Sequence, residues 1–162
     1  MDKLPVDSAT AERLILGTDE LTVLASCDDN DGDLFAVEIR MPAGGGPPVM
    51  HRHAPSEIYY VLEGEFTFYV GDPEATVQRI TATAGQAVPL AGGTPHNIRN
   101  ESDGDAVAVS VHAPGGPMEQ FSRAASAMVA DGGQPDMQAV LALAAQHGIE
   151  LLGPVPEPAT TG

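Results

Sequence analysis

Residues 45–64 read Gly45-Gly46-Pro47-Pro48-Val49-Met50-His51-Arg52-His53-Ala54-Pro55-Ser56-Glu57-Ile58-Tyr59-Tyr60-Val61-Leu62-Glu63-Gly64. His51 and His53 are one residue apart, so on an extended strand their side chains project to the same face. Pro55 excludes helix from the Ala54-Pro55-Ser56 turn, and Glu57 follows at the start of a strand-like run, Ile58 to Leu62, from where it can swing back to the imidazoles. Two imidazole nitrogens and a carboxylate oxygen on neighbouring strands form a three-ligand site for a first-row divalent metal. A second stretch, Gly85-Gln86-Ala87-Val88-Pro89-Leu90-Ala91-Gly92-Gly93-Thr94-Pro95-His96-Asn97-Ile98-Arg99-Asn100, supplies a fourth candidate. It reads as a strand, a Gly-rich turn and a second strand that presents His96 near its start.

These stretches resemble the paired motifs of the cupin superfamily. The first matches throughout, at Gly45, His51, His53, Glu57 and Gly64; the second matches at Gly85, Gly93, His96 and Asn100 and has Ala91 where the family usually has proline. The resemblance covers residues 21 to 113 and rests on two spaced motifs. It implies an all-β fold with C-terminal helices, a cupin-type antiparallel β-barrel (double-stranded β-helix or jelly roll). It further implies one divalent transition metal per chain, held inside by His51, His53, Glu57 and His96. Fe, Mn, Ni, Co, Cu and Zn all accept these donors. Cys27 is the only cysteine, so zinc held structurally by thiolates is excluded and no intrachain disulfide can form.

A chain of 162 residues can bury a core without staples. Abundant Gly and Pro between short apolar runs suit an all-β barrel better than a helical bundle. The net charge of −16 repels phosphate backbones and anionic membranes, which argues against nucleic-acid and lipid partners. The first residues show neither the basic head nor the apolar stretch of a signal peptide, and no aliphatic run is long enough to span a bilayer. A cytoplasmic protein is expected.

Residues 1–20 form an N-terminal arm, with Leu14-Ile15-Leu16 as an edge strand or dimer contact. Residues 21–113 form the barrel, opening with a strand from Leu21 to Cys27. The acidic Asp28–Asp33 turn lacks the helical flanks and distal glutamate of a calcium loop and reads as a hairpin turn. Strands follow at Leu34–Met41, Phe66–Val70, Thr76–Ala82 and Ala106–His112, with a turn at Gly71-Asp72-Pro73. Residues 114–153 form a helical segment packing on the barrel. Its helices are Met118–Ala130, with Phe121, Ala125, Met128 and Val129 on one face, and Asp136–His147, capped by Asp136 and stopped by Gly148. Residues 154–162 form a flexible tail. His112 and His147 are not expected to be ligands.

Alternation turns Arg40, Arg52 and Arg99 outward, so no cation is expected inside the barrel to hold a phosphate. The expected substrate-binding lining is Phe35, Val37, Ile39, Met41, Tyr59, Val61 and Ile98, a home for a small apolar or aromatic molecule with one oxygen for the metal. The single barrel, the Pro114-to-Phe121 helix start and the Gly148–Pro154 segment resemble quercetinase-like dioxygenases. That resemblance implies ring cleavage of a flavonol-like enol by dioxygen. Glu57 would serve as ligand and as base for the substrate hydroxyl, if its pKa is raised towards neutrality. A non-redox metal-dependent isomerase, cyclase or lyase is the alternative, as is a non-catalytic binding protein. The family resemblance also implies a homodimer.

Overall fold

The computed structural model describes residues 4–72, 74, 76–130, 132–133 and 136–156. The chain runs β1 (Arg13–Leu16), β2 (Asp19–Ala25), β3 (Phe35–Met41), β4 (Val49–Arg52), β5 (Ser56–Glu63), β6 (Glu65–Gly71), β7 (Val77–Thr83), β8 (Ala87–Leu90), β9 (His96–Arg99) and β10 (Ala106–Ala113). Two helices, α1 (Gly116–Ala127) and α2 (Met137–Gln146), and a last strand β11 (Glu150–Pro154) complete it. The strands make two antiparallel sheets, in the orders β1-β2-β3-β10-β5-β8 and β11-β4-β9-β6-β7, facing each other as a jelly roll.

The alternation of side chains decides what lies between the sheets. In β3, Phe35, Val37, Ile39 and Met41 are buried; in β5, Glu57, Tyr59 and Val61 are buried while Ile58, Tyr60 and Leu62 are exposed. Phe66 and Phe68 fill the interior from β6 with no exposed surface. Burying such side chains contributes roughly 1.5–3 kcal/mol each.

The two motifs touch through backbone. Gly93 N–H donates to His53 O, and Gly92 N–H donates to Ser56 Oγ at 3.0 Å. A Cβ at Gly92 would lie 2.0 Å from Ala54 O, so only glycine lets the two turns meet. With Ala91 in place of proline, that close approach fixes the turn. Asn100 Nδ2–H donates to Met41 O and Gly104 O, tying the end of the second motif to the strand that precedes the first.

Several sequence expectations shift. The arm is not separate: residues 13–16 and 19–20 belong to β1 and β2 of the six-stranded sheet. Leu14 is buried within its own chain, so of Leu14–Leu16 only Ile15 remains largely exposed. The acidic turn holds a 3₁₀ turn at Cys27–Asp29, capped by Ser26. Helix α1 ends at Ala127, which leaves Met128 exposed instead of packed. Asp136 caps α2 by accepting from Gln138 N–H, and Gly148 follows it at φ +79°. Helix α2 packs on α1 and β11 more than on the barrel strands. The region after α2 is not purely helical, because β11 pairs with β4, and Pro154 ends that strand instead of opening a tail. Pro73 of the expected turn, residues 1–3 of the arm and residues 157–162 of the tail lie outside the described residues. No described helix is long and apolar enough to cross a membrane.

Candidate metal centre

Two walls supply the centre. From the five-stranded sheet, β4 carries His51 with His53 just beyond it, and β9 begins at His96; His51 and His96 are paired residues of that sheet. From the six-stranded sheet come Glu57 of β5 and His112 of β10, also paired across the ladder. The ligand atoms of His51, His53 and His96 all lie within 4.8 Å of one another, as do those of His53, Glu57 and His112. All but His51 are buried.

Second contacts set the tautomers of three of these rings. His51 Nδ1 lies 3.2 Å from Val49 O, His53 Nδ1 2.9 Å from Pro55 O, and His96 Nδ1 2.8 Å from Thr94 O. A carbonyl can only accept, so each Nδ1 carries the proton, and each neutral ring keeps its Nε2 lone pair for the centre. The turns named by Pro55 and Pro95 therefore position ligands as well as chain. Asn97, fully buried, braces the same strand by donating to Pro47 O and Val49 O.

Glu57 is crowded by imidazoles. Its carboxylate oxygens lie 2.7 Å from His96 Nε2 and 3.4 Å from His53 Nε2, and it also contacts His112 Nε2. Yet His53 Nε2, Glu57 Oε1 and both nitrogens of His112 are buried without an aligned hydrogen-bond partner. Buried polar atoms are seldom left so. Ligand atoms that crowd together without bonding one another fit a cation that would satisfy them together.

Burial alone would raise the Glu57 carboxyl, but His112, His53 and His96 overcome it and hold the group well below the usual carboxylate range. That is opposite to the raised carboxyl expected for a base: Glu57 is an anion, suited to a ligand. Burial, and then the charge of His96, push His51 down to about 4, which leaves it neutral. Burial lowers His96 too, but the Glu57 carboxylate outweighs it and the pKa rises.

A cavity of about 320 Å³ reaches the centre on the side of His51, Glu57 and His112. Phe35, Val37, Ile39, Met41, Tyr59 and Ile98 line it. Val61 does not: it lies deeper, level with Ala108, in the part of the core that includes Phe66 and Phe68. Sequence reasoning also set aside His112, which faces inward in phase with Ala106, Ala108 and Ser110. That phase was the available signal. His147 is the α2 C-cap beside Phe121, away from the centre. Arg40 and Arg52 are exposed and Arg99 half-buried outside the cavity, so among the described residues no cation lines it.

Residues 37–112 match the family described as Cupin domain. Among solved structures, the chain is similar to a predicted oxalate decarboxylase from Thermotoga maritima, with 21% identity over 68% of this chain and 98% of that one and a TM-score of 0.57. It is similar to the polyketide cyclase RemF from Streptomyces resistomycificus, with 18% identity over 67% of this chain and 78% of that one and a TM-score of 0.56. It is also similar to the hydroxypropylphosphonic acid epoxidase from S. wedmorenis, with 18% identity over 69% of this chain and 60% of that one and a TM-score of 0.56. No curated protein matches the chain. At these identities the likeness is one of fold: residues 37–112 resemble a cupin domain and the chain forms a jelly roll, while its chemistry rests on its own residues.

Proposed function

We propose that this cupin-domain chain is a metal-dependent enzyme, a dioxygenase acting on a flavonol-like or other enolic aromatic molecule. The observation that carries the reading is the grouping of His51, His53 and His96 beside the Glu57 carboxylate, with His51 and Glu57 on the wall of a mostly apolar cavity. His51, His53, Glu57 and His96 would hold one divalent transition metal, and His112 would stand beside Glu57 without holding the ion. Such an ion supplies Lewis acidity and, where it is redox-active, the capacity to activate dioxygen. Phe35, Val37 and Ile39 exclude water and favour a flat, apolar body. Glu57 stands ionised, the form that can take the proton of the substrate hydroxyl at Oε1 or Oε2; because the imidazoles lower its proton affinity, it would serve as base only to a hydroxyl made acidic by the bound ion.

The test is an oxygen-electrode assay of metal-loaded protein against enolic aromatics. Stoichiometric oxygen uptake with ring-opened product supports the reading. Turnover without oxygen uptake moves the protein to the Lewis-acid isomerases, cyclases and lyases, and metal uptake with no turnover moves it to binding proteins. A homodimer belongs to the same proposal, through the side where Ile15 and Met128 are exposed. A monomer in sedimentation at micromolar concentration would contradict it.

A further inference from the structure

The cavity also reaches a carboxyl that has no part in the centre. Asp19 opens β2, is 6% exposed, and lines the cavity together with Thr18, Leu21 and Met41. Its side-chain partner is the Thr18 hydroxyl, at a long 3.4 Å, and among the described residues no basic group pairs with it. The position is enforced: a Cβ at Gly45 would lie 2.8 Å from Asp19 Oδ1, so the carboxyl packs against bare backbone there.

Register places Asp19 at the far end of the sheet from the centre. Glu20 pairs with Arg40, which puts Asp19 at the Met41 end of β3, whereas His112 pairs with Phe35 at the other end. Six residue steps along β3 span about 20 Å of backbone. Between the two ends, level with Val37 of β3, the cavity is lined by Tyr59 and Ser110, which pair across β5 and β10. A polar line therefore runs through an otherwise apolar cavity, from Asp19 past Tyr59 and Ser110 to Glu57 and His112.

We infer that Asp19 is a second anchor, and that it selects ligands carrying a hydroxyl donor at the end remote from the oxygen that meets the metal centre. A buried carboxyl with one weak partner lacks hydrogen-bond donors, and a ligand that brings one removes that deficit. A hydroxyl suits this place better than an ammonium group, because an ammonium ion would add a second charge to be desolvated among apolar walls. Burial pushes the Asp19 carboxyl up to about 7, against a smaller opposing pull from Thr18. The apolar surroundings that do this are what make an added donor valuable. The naming of a two-ended, hydroxylated aromatic substrate rests on the enzyme reading above; the anchor itself does not.

Calorimetry with three shape-matched probes tests it: biphenyl, 4-methoxybiphenyl and 4-phenylphenol, each titrated into metal-free and metal-loaded protein. At a pH above about 8, where the Asp19 carboxyl is mostly ionised, wild type is expected to prefer 4-phenylphenol over both others by roughly tenfold or more, the scale of one hydrogen bond to a carboxylate. Asp19→Leu should erase that preference while leaving biphenyl affinity equal or higher. Asp19→Asn, close in shape and able to fold if Asp19→Leu cannot, should reduce it several-fold. An equal preference in wild type and either folded variant, or no preference or no binding in wild type, overturns the inference. The two proposals fail separately. Metal uptake without an Asp19-dependent preference sinks the anchor alone, and the preference without metal uptake sinks the metal reading alone.

Discussion

His53 and His112 stand with ring centroids 5.5 Å apart beside the same carboxylate, yet the two walls that carry them treat them differently. On the five-stranded wall, His51, His53 and His96 each spend Nδ1 on a backbone carbonyl two residues away. On the six-stranded wall, both nitrogens of His112 are buried and without an aligned partner. A ring fixed from behind presents one lone pair in one direction. His112 has no such carbonyl behind it, and its Nε2 contacts the Glu57 carboxylate. The difference teaches that ligand character is built by the local turn, through Pro55 and Pro95, whereas the other wall contributes an anion and its neighbour. The first wall should govern metal affinity and the second should govern turnover.

The largest effect that could break this division comes from Glu57→Gln. The amide keeps an oxygen donor but loses the charge and most of the proton affinity, so turnover per bound metal should fall roughly 10²–10⁴-fold while metal uptake falls modestly. Steady-state kinetics on metal-quantified samples checks it, and unchanged turnover per metal would remove Glu57 as the base.

On the braced wall, Asn97→Ala deletes both donors to Pro47 O and Val49 O behind His51. Stability should drop by about 1–2 kcal/mol in chemical denaturation, since the partly buried Pro47 carbonyl loses its donor and Val49 O keeps only His51. Metal affinity should fall about 10–100-fold, as for other losses of outer support. Weakened stability with unaltered metal affinity would show that the brace does not orient the ligands.

Acid sensitivity sharpens the comparison by testing a region remote from both walls. Burial would raise Glu119, but hydrogen bonds from Cys27, Ser26 and Arg123 bring it down to about 2. A carboxyl depressed on folding stabilises fully above its unfolded value, and the benefit is lost as pH falls towards 2. Glu119→Gln should therefore flatten the loss of stability of the metal-free protein between about pH 4.5 and 2. An unchanged acid profile would place that sensitivity elsewhere.

The smallest effect is expected from Arg52→Ala. Its guanidinium pairs with Glu150 at 2.8 Å and 3.0 Å and joins β11 to the outside of β4, but both groups are well exposed. The loss of stability should be too small to resolve in chemical denaturation, with metal affinity unchanged. A large loss of metal in this variant would mean that β11 positions His51 from outside.

Period-two spacing made the inner wall legible, because Phe35 to Met41 and His51-x-His53 declare their faces without tertiary information. His112 was legible only in part. Its phase with Ala106, Ala108 and Ser110 points inward, but its place beside Glu57 depends on β10 pairing with β5, a register between segments far apart in the chain. Asp19 shares a phase with Leu21 and Val23, and its charge at the start of the strand hid it among ordinary turn residues. Strand β11 was hidden for another reason. Gly153 and Pro154 are poor strand formers, and pairing with the His51 strand supplies what local propensity does not. Val61 has the right phase but the wrong depth, which alternation alone does not encode.

Elemental analysis of metal per chain tests the central claim most directly, on wild type and on His51→Ala, His96→Ala and His112→Ala proteins shown by melting to be folded. Wild type should hold close to one divalent transition metal per chain. His51→Ala and His96→Ala should lose most of it, and His112→Ala should keep it. Full occupancy surviving the combined loss of His51 and His96, or loss of metal only on removal of His112, would contradict a centre built by the braced histidines.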